Sequence, residues 1–164
     1  MAGDGAVFGP PFFGIGLPDA FVSRVTAPTP NAAPVCSAVS PDPALLQPPN
    51  HRLRSVTLSG AFDPDGDEVT LGITSVTQDE PLNGLGEGDT TPDAAWAQDR
   101  SDQVLLRVGR SGMGDGRVYR IGFSASDPLG ATCDGTVAVG VPVSAASVSL
   151  PVDSGLVFDS FGAP

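Results

Sequence analysis

Alternating apolar and polar residues fill a series of short runs between residues 35 and 141, and glycine, proline and aspartate separate one run from the next. A period of two indicates β-strands with one buried face. In the first long run we expect Val56 and Leu58 to point inward. The run Val104–Val108 is apolar at nearly every position, so we expect it in the centre of a sheet. The predicted strands are Val35–Val39, a strand within Arg52–Phe62, Val69–Ile73, Val104–Val108, Tyr119–Ala125 and Cys133–Val141.

Two segments between the runs have the composition of tight turns. Asp63–Asp67 reads DPDGD, and Asp127–Gly130 reads DPLG. Proline presets φ in such turns, and glycine adopts positive φ without steric cost. No segment shows the periodicity of an amphipathic helix. About seven short strands with turns between them predict an all-β fold, an immunoglobulin-like Greek-key β-sandwich.

The apolar residues outside these runs divide the chain into three parts: an arm at 1–34, the sandwich at 35–142, and a strand or tail at 143–164. Six of the eight phenylalanines lie outside 35–142. Extended arms of this kind either fold back on their own sandwich or pack on a neighbouring subunit, for instance by adding a strand to its sheet edge. The residues that we predict to act in assembly are Phe8, Phe12, Phe13, Ile15, Leu17, Phe21, Phe158 and Phe161.

The net charge of −11 and the lack of any basic patch disfavour some classes of partner. Binding to nucleic acid or to an anionic membrane depends on clustered cations, which the chain lacks. No apolar run approaches the length of a transmembrane helix. Met1–Phe21 does not have the pattern of a signal peptide, because glycine and proline interrupt it.

The two cysteines, Cys36 and Cys133, stand far apart and outside any metal-binding motif. His51 is the single histidine and cannot complete a metal site with them. We therefore predict a disulfide, and with it an oxidising, extracellular location. The alternative is a pair of buried thiols.

Acidic residues concentrate between Asp63 and Asp102, where 11 of the 19 carboxylates lie and Arg100 is the only cation. Carboxylates in loops are the ligands that Ca²⁺ prefers. We predict a calcium site formed by Asp63, Asp65 and Asp67, with Asp127 as a further ligand. In the alternative interpretation these aspartates form turns, and the acids make a solvated rim.

Three stretches of the chain carry a resemblance to a known family: PPNHRLRSVTLSG, DPDGDEVTLGITSVTQDEPLNGLGEGDTTPDA and RSGMGDGRVYRIGFSASDPLGATCDGTVAVGVP. Together they resemble an immunoglobulin-like repeat of large bacterial secreted and surface proteins, over about Pro34 to Pro142. The resemblance implies an extracellular β-sandwich that serves as a spacer or an adhesive unit, and it implies no catalytic activity.

Side chains that serve in catalysis are scarce, since the chain has one histidine, no lysine and no serine in a GxSxG motif. We expect a structural subunit of the cell surface that forms homo-oligomers or filaments through its arms. Three alternatives stay open. The chain could be an adhesin or spacer module that contacts a surface protein or a glycan, a virion decoration protein, or an accessory module of a secreted hydrolase.

Overall fold

The computed structural model describes residues 29–84 and 90–162 of the 164-residue chain. One compact unit begins at Asn31 and includes the C-terminal tail. Six of the residues predicted to act in assembly lie outside the described residues, namely Phe8, Phe12, Phe13, Ile15, Leu17 and Phe21.

The described residues form eight β-strands and contain no helix, and so none that could cross a membrane. The strands are β1 (Ser40–Asp42), β2 (Leu53–Ser59), β3 (Thr70–Gln78), β4 (Ala94–Trp96), β5 (Gln103–Arg107), β6 (Gly116–Ser126), β7 (Thr132–Pro142) and β8 (Phe158–Asp159). They make two four-stranded sheets, in the orders β1-β2-β5-β4 and β7-β6-β3-β8. All neighbouring strands are antiparallel. The prediction of an all-β fold is confirmed.

Side chains from both sheets contribute to one hydrophobic core, as in a β-sandwich. Val56 and Leu58 of β2 are buried, as their alternation predicts. In β6 every second side chain from Tyr119 to Ala125 is buried. The strand β5 lies between β2 and β4 inside its sheet, which confirms the central position expected for it.

The strand β3 differs from its prediction because it contains a bulge. Leu71 and Ile73 share a half-buried face, but the register against β6 shifts between Ile73 and Ser75. A bulge adds one residue and so reverses the face on which the following side chains lie. The buried positions after the bulge are therefore Val76 and Gln78, and the strand extends beyond the alternating run that predicted it.

Two predictions about the ends of the sheets are wrong. Val35–Val39 is not a strand, since Val35 makes only an isolated bridge to Phe62 and the first strand begins at Ser40. The short edge strand β4, which contains Trp96, is missing from the strands that the alternation predicts. Neither short segment has enough alternating residues to be recognised by period alone.

Candidate functional site

The predicted disulfide is present. Cys36 and Cys133 are bonded, across a sequence separation of 97 residues. Cys133 is the second residue of β7, and Cys36 lies just before β1. The bond therefore ties the segment that enters the first sheet to the beginning of the edge strand of the second sheet.

The turn Asp63–Asp67 lies at the same end of the sandwich, before β3 begins. The backbone N–H of Asp65 donates to Asp63 Oδ1 at 2.8 Å, and Gly66 takes a φ of 86°. The N–H of Ala32 donates to Asp65 Oδ2 at 2.6 Å. Asp63 is only 9% exposed, and its Oδ2 atom is buried with no hydrogen-bond partner in the part of the chain that the structure describes. Three of the four remaining residues of the turn are exposed, and Asp67 is half-buried.

Asp127 closes the neighbouring turn between β6 and β7. Its Oδ1 accepts hydrogen bonds from the N–H groups of Leu129 (2.8 Å) and Ala131 (2.9 Å), and its Oδ2 accepts one from the Asn31 side chain (2.8 Å). The Asn31 amide holds the pKa of this carboxyl below its ordinary value, and the backbone N–H groups of the turn lower it further against an opposing effect of burial. Both carboxylate oxygens of Asp127 are thus used within the fold.

The four aspartates predicted to bind calcium lie in these two turns, and Asn31 and Ala32 connect the turns. Among residues 29–84 and 90–162, no three histidine, cysteine or acidic side chains come together in a group that could hold a metal ion. In this arrangement Asp65 and Asp127 act mainly as hydrogen-bond acceptors. Among the described residues, Asp63 Oδ2 is the one oxygen of the four carboxylates that is buried without a hydrogen-bond partner.

The edge strand β7 presents an open row of backbone groups. Its neighbour β6 pairs along its whole length on one side. On the other side, Gly140 donates to Ala44 O (2.9 Å) and accepts from Leu46 N (2.8 Å). Because the direction of the backbone groups alternates along a strand, Asp134, Thr136 and Ala138 face the same way as Gly140. No residue that the structure describes makes a hydrogen bond to the outward N–H and C=O groups of these three.

A buried ionic network occupies the opposite end of the sandwich, where β6 begins and β3 ends. The guanidinium of Arg117, whose side chain is 1% exposed, contacts Asp93 Oδ2 at 2.7 Å and Glu80 Oε2 at 3.0 Å. Arg107 Nε lies 3.4 Å from the other oxygen of Asp93. The Tyr119 hydroxyl donates to the carbonyl of Arg107 at 2.9 Å. Two arginines and two carboxylates thus balance one another, and they join β5 and β6 to the segment between β3 and β4.

The pKa values in this network follow from its burial and its charges. Burial raises the pKa of the Tyr119 hydroxyl well above its ordinary value. Burial alone lowers the pKa of Arg117, but Tyr119, Asp93 and Glu80 outweigh it and raise that pKa overall. The arginine is therefore charged at every pH at which the protein is folded, which suits a structural ion pair.

The C-terminal tail packs on the chain's own sandwich, as the fold-back alternative expects. Phe158 lies in β8, which pairs with β3. The carbonyl of Ser160 accepts hydrogen bonds from the N–H groups of Asp93 (2.9 Å) and Ala94 (2.8 Å), and so joins the two sheets. Phe161 stacks on Trp96, with ring centroids 4.3 Å apart. Both C-terminal phenylalanines that we predicted for assembly therefore take part in the chain's own fold.

The tail reaches β8 by crossing the second sheet close to its backbone. An ideal Cβ at Gly140 would lie 2.3 Å from the Pro151 side chain, and one at Gly116 would lie 2.7 Å from it. Further along, Asp153 pairs with Arg120, and the buried carboxylate of Asp79 accepts the N–H groups of Val118 (2.8 Å) and Ser154 (3.1 Å). Two glycines thus make room for the tail, and Asp79 holds it.

Sequence reasoning missed the ionic network, although one signal for it exists. Arg117 has the same parity in β6 as the buried side chains Tyr119 and Ile121, so a charge stands where alternation predicts an inward residue. Asp79, Glu80 and Asp93 are among the acidic residues between Asp63 and Asp102, for which a solvated rim was one interpretation. Asp79 and Asp93 are in fact 3% and 2% exposed.

A cleft of about 390 Å³ opens beside the junction of β2 and β3. Aliphatic residues and four polar ones line it, the polar ones being Ser59, Thr70, Ser101 and Asp102. The carboxylate of Asp102 pairs with Arg100, which lowers its pKa, and Ser101 Oγ donates to the carbonyl of Leu71 at 2.8 Å. Ser101 and Asp102 are thus engaged within the fold.

Comparisons of this chain with the profiles of known protein families, with curated proteins and with solved structures found no match. The immunoglobulin-like repeat therefore stays a resemblance, and the function has to be argued from the geometry.

Proposed function

We propose that this protein is an extracellular structural subunit that assembles with further copies of itself through its N-terminal arm. The observation that carries the proposal is the open edge of β7, where the outward backbone groups of Asp134, Thr136 and Ala138 have no partner among the described residues. An open sheet edge is a ready template for an added strand. The apolar arm at 1–34 supplies a segment of this chain that can serve as that strand.

The edge strands at the other three sheet edges are too short to serve as good templates for an added strand. The strands β1, β4 and β8 are three, three and two residues long, whereas β7 has 11 residues. Very short edge strands are one of the ways in which proteins avoid unwanted pairing. The C-terminal tail is already packed on β3 and Trp96, so the proposal assigns assembly to the N-terminal arm alone.

The extracellular location is supported by the disulfide. Disulfides persist in oxidising compartments and are rare in reducing ones. The bond Cys36–Cys133 links the segment before β1 to β7, across a sequence separation of 97 residues, so it belongs to the framework of the fold. A protein that must persist outside the cell gains from such a covalent constraint.

The mass of the full chain as a function of concentration tests the proposal. We expect sedimentation velocity to show species larger than a monomer, with a fraction that rises with concentration, since association by an arm and a separate acceptor is open-ended or ring-forming. The same run in reductant is the matched control for disulfide exchange between chains, because non-covalent assembly persists there if the fold survives. A full chain that sediments as a monomer up to millimolar concentration would contradict the proposal.

A second candidate function is the binding of Ca²⁺ at the turn Asp63–Asp67. The observation that favours it is Asp63 Oδ2, which is buried and has no hydrogen-bond partner among residues 29–84 and 90–162. A buried, unpaired carboxylate oxygen is costly, and a bound cation relieves that cost. Asp65 and the carbonyl groups of the turn are the nearest further oxygens along the chain.

Thermal unfolding in Ca²⁺ and in chelator tests the second candidate. A ligand at about a hundredfold excess over its Kd stabilises by about 2.7 kcal/mol, so we expect a higher Tm in Ca²⁺. Asp63→Asn should remove the difference between the two conditions, and Asp134→Asn, which changes an exposed acid at the same end, should keep it. Equal Tm values of the unaltered protein with Ca²⁺ and with chelator would rule out the site.

A further inference from the structure

We infer that the open edge of β7 receives residues Phe21–Thr26 of a second copy as an added strand. The inference rests on the proposed assembly and names both sides of its contact. The acceptor is the stretch from Asp134 to Ala138, whose outward N–H and C=O groups are free among the described residues. It ends at Gly140, where Ala44 and Leu46 already bond to the same edge.

The donor is identified by the spacing of glycine and proline in the arm. Within residues 1–28, the nine residues between Pro18 and Pro28 are the one stretch longer than three residues that contains neither glycine nor proline. Proline cannot donate a ladder hydrogen bond, and glycine weakens a strand, so the rest of the arm is poorly suited to pairing. The segment Phe21–Thr26 reads FVSRVT, a composition typical of β-strands.

Charge supports this choice of partners. Arg24 is the only cation in residues 1–30, and Asp134 is the only charged residue of β7. Asp134 is exposed on the outer face of its sheet. Opposite charges on facing residues of two antiparallel strands stabilise the pair, and in a chain of net charge −11 such a contact offsets the repulsion between copies.

This pairing also sets the register. If Arg24 stands opposite Asp134 in an antiparallel pair, Val22 stands opposite Thr136. Because the backbone groups of Asp134 and Thr136 point toward the open edge, both pairs are of the hydrogen-bonded kind. Phe21 then lies beside Val137, a half-buried residue on the inner face of β7. The added strand would thus place an aromatic side chain over the core and the arginine toward solvent.

Proline substitutions test the acceptor and the donor separately in the full chain. Thr136→Pro removes an outward N–H that the fold does not use, and proline is tolerated on edge strands, whereas Thr136→Val keeps the N–H. Val22→Pro removes the facing N–H of the donor, and Val22→Thr keeps it. We expect each proline variant to weaken assembly at least about tenfold in Kd by sedimentation velocity, and each control to assemble as the unaltered protein does. Circular dichroism melting shows whether Thr136→Pro still folds.

Mixing the two proline variants gives the decisive measurement. The intact arm of the Thr136→Pro protein can enter the intact edge of the Val22→Pro protein, so an equimolar mixture should form a 1:1 dimer although each variant alone is monomeric. A mixture that stays monomeric, while the unaltered protein assembles, overturns the inference.

The remaining outcomes separate the inference from the function that it rests on. Assembly of Thr136→Pro as strong as that of Thr136→Val would place the acceptor elsewhere and leave the assembly itself standing. A monomeric full chain overturns both. If the full chain is monomeric, hydrogen exchange shows where Phe21–Thr26 lies. Slow exchange indicates that the segment pairs with β7 of the same chain, and fast exchange indicates that it is free in solution.

Discussion

The two ends of this sandwich are held together by different means. At one end the Cys36–Cys133 bond and the turn carboxylates Asp63 and Asp127 act, and most of the hydrogen bonds of these carboxylates go to backbone groups a few residues away. At the other end Arg117 and Asp93 form a buried network whose partners lie 24 residues apart in sequence. The first end is stabilised by a covalent bond and local turns, and the second by long-range charge pairing.

The difference predicts how each end responds to change. A disulfide acts mainly on the unfolded chain, so its loss should lower stability without leaving a strained site in the folded protein. A buried ion pair acts in the folded state, and removing one partner leaves the other buried and unpaired. The open edge of β7 begins at the disulfide end, where Cys133 stands next to Asp134.

Disrupting the buried ionic network should have the largest effect on stability. Arg117→Ala leaves Asp93 and Glu80 buried without their shared cation, and we expect a loss of about 3–5 kcal/mol in the free energy of unfolding, measured by denaturant titration. Arg120→Ala is the matched control, because its pair with Asp153 is partly exposed and should contribute less than about 1 kcal/mol. Equal losses in the two variants would contradict the assignment of this end to buried charge.

Removing the disulfide should lower the free energy of unfolding by somewhat less. The double variant Cys36→Ala, Cys133→Ala opens a loop with a sequence separation of 97, and we expect a loss of about 2–4 kcal/mol. The unaltered protein in reductant should unfold at the denaturant concentration of the double variant. Two titratable thiols in the denatured, unreduced protein would show that the bond does not form.

The contact between the tail and Trp96 should contribute less again. Phe161→Ala removes an aromatic stacking partner at 4.3 Å, which contributes about 0.5–1.5 kcal/mol beyond the buried area. Since Trp96 is the only tryptophan, its fluorescence should shift to longer wavelength as the ring becomes more exposed to water. Val157→Ala, an exposed position of the same tail, should leave the emission unchanged.

The smallest effect that we predict is a pH dependence at the turn end. The folded-state pKa of Asp127 lies below its unfolded value, so its contribution is complete above about pH 4 and is lost as the pH falls through the folded pKa. The stability of the unaltered protein should therefore fall more between pH 5 and pH 3 than that of Asp127→Asn. Asn31→Ala, which removes the strongest cause of the shift, should lie between the two. Parallel pH profiles of the unaltered protein and Asp127→Asn would contradict this role.

The same contrast explains what could be predicted from the sequence. The turns at Asp63 and Asp127 and the alternation in β2 and β6 are local, and they were recognised from a few adjacent residues. The acidic partners of Arg117 come from the segment between β3 and β4, far from it in sequence, and no local pattern indicates that Asp93 lies against it. Its inward parity beside Tyr119 was the available signal.

Two further features could not be predicted from local sequence patterns, for other reasons. The bulge at Ile73–Ser75 reverses the face of β3, so the strict alternation that predicts Leu71 and Ile73 misassigns the residues after them. The strand β8 is only two residues long and exists because Ser160 and Phe161 find partners on distant strands. The calcium site and the assembly role of Phe8–Phe21 stay predictions.

The position of the disulfide also determines what happens when the chain is cut. Any single proteolytic cleavage between residues 36 and 133 breaks the backbone but leaves both fragments joined through Cys36 and Cys133. The N-terminal arm and the strands β6 and β7 would thus remain in one covalent molecule after a nick in the central loops. Loss of backbone continuity at such a site would not by itself separate the arm from the edge strand.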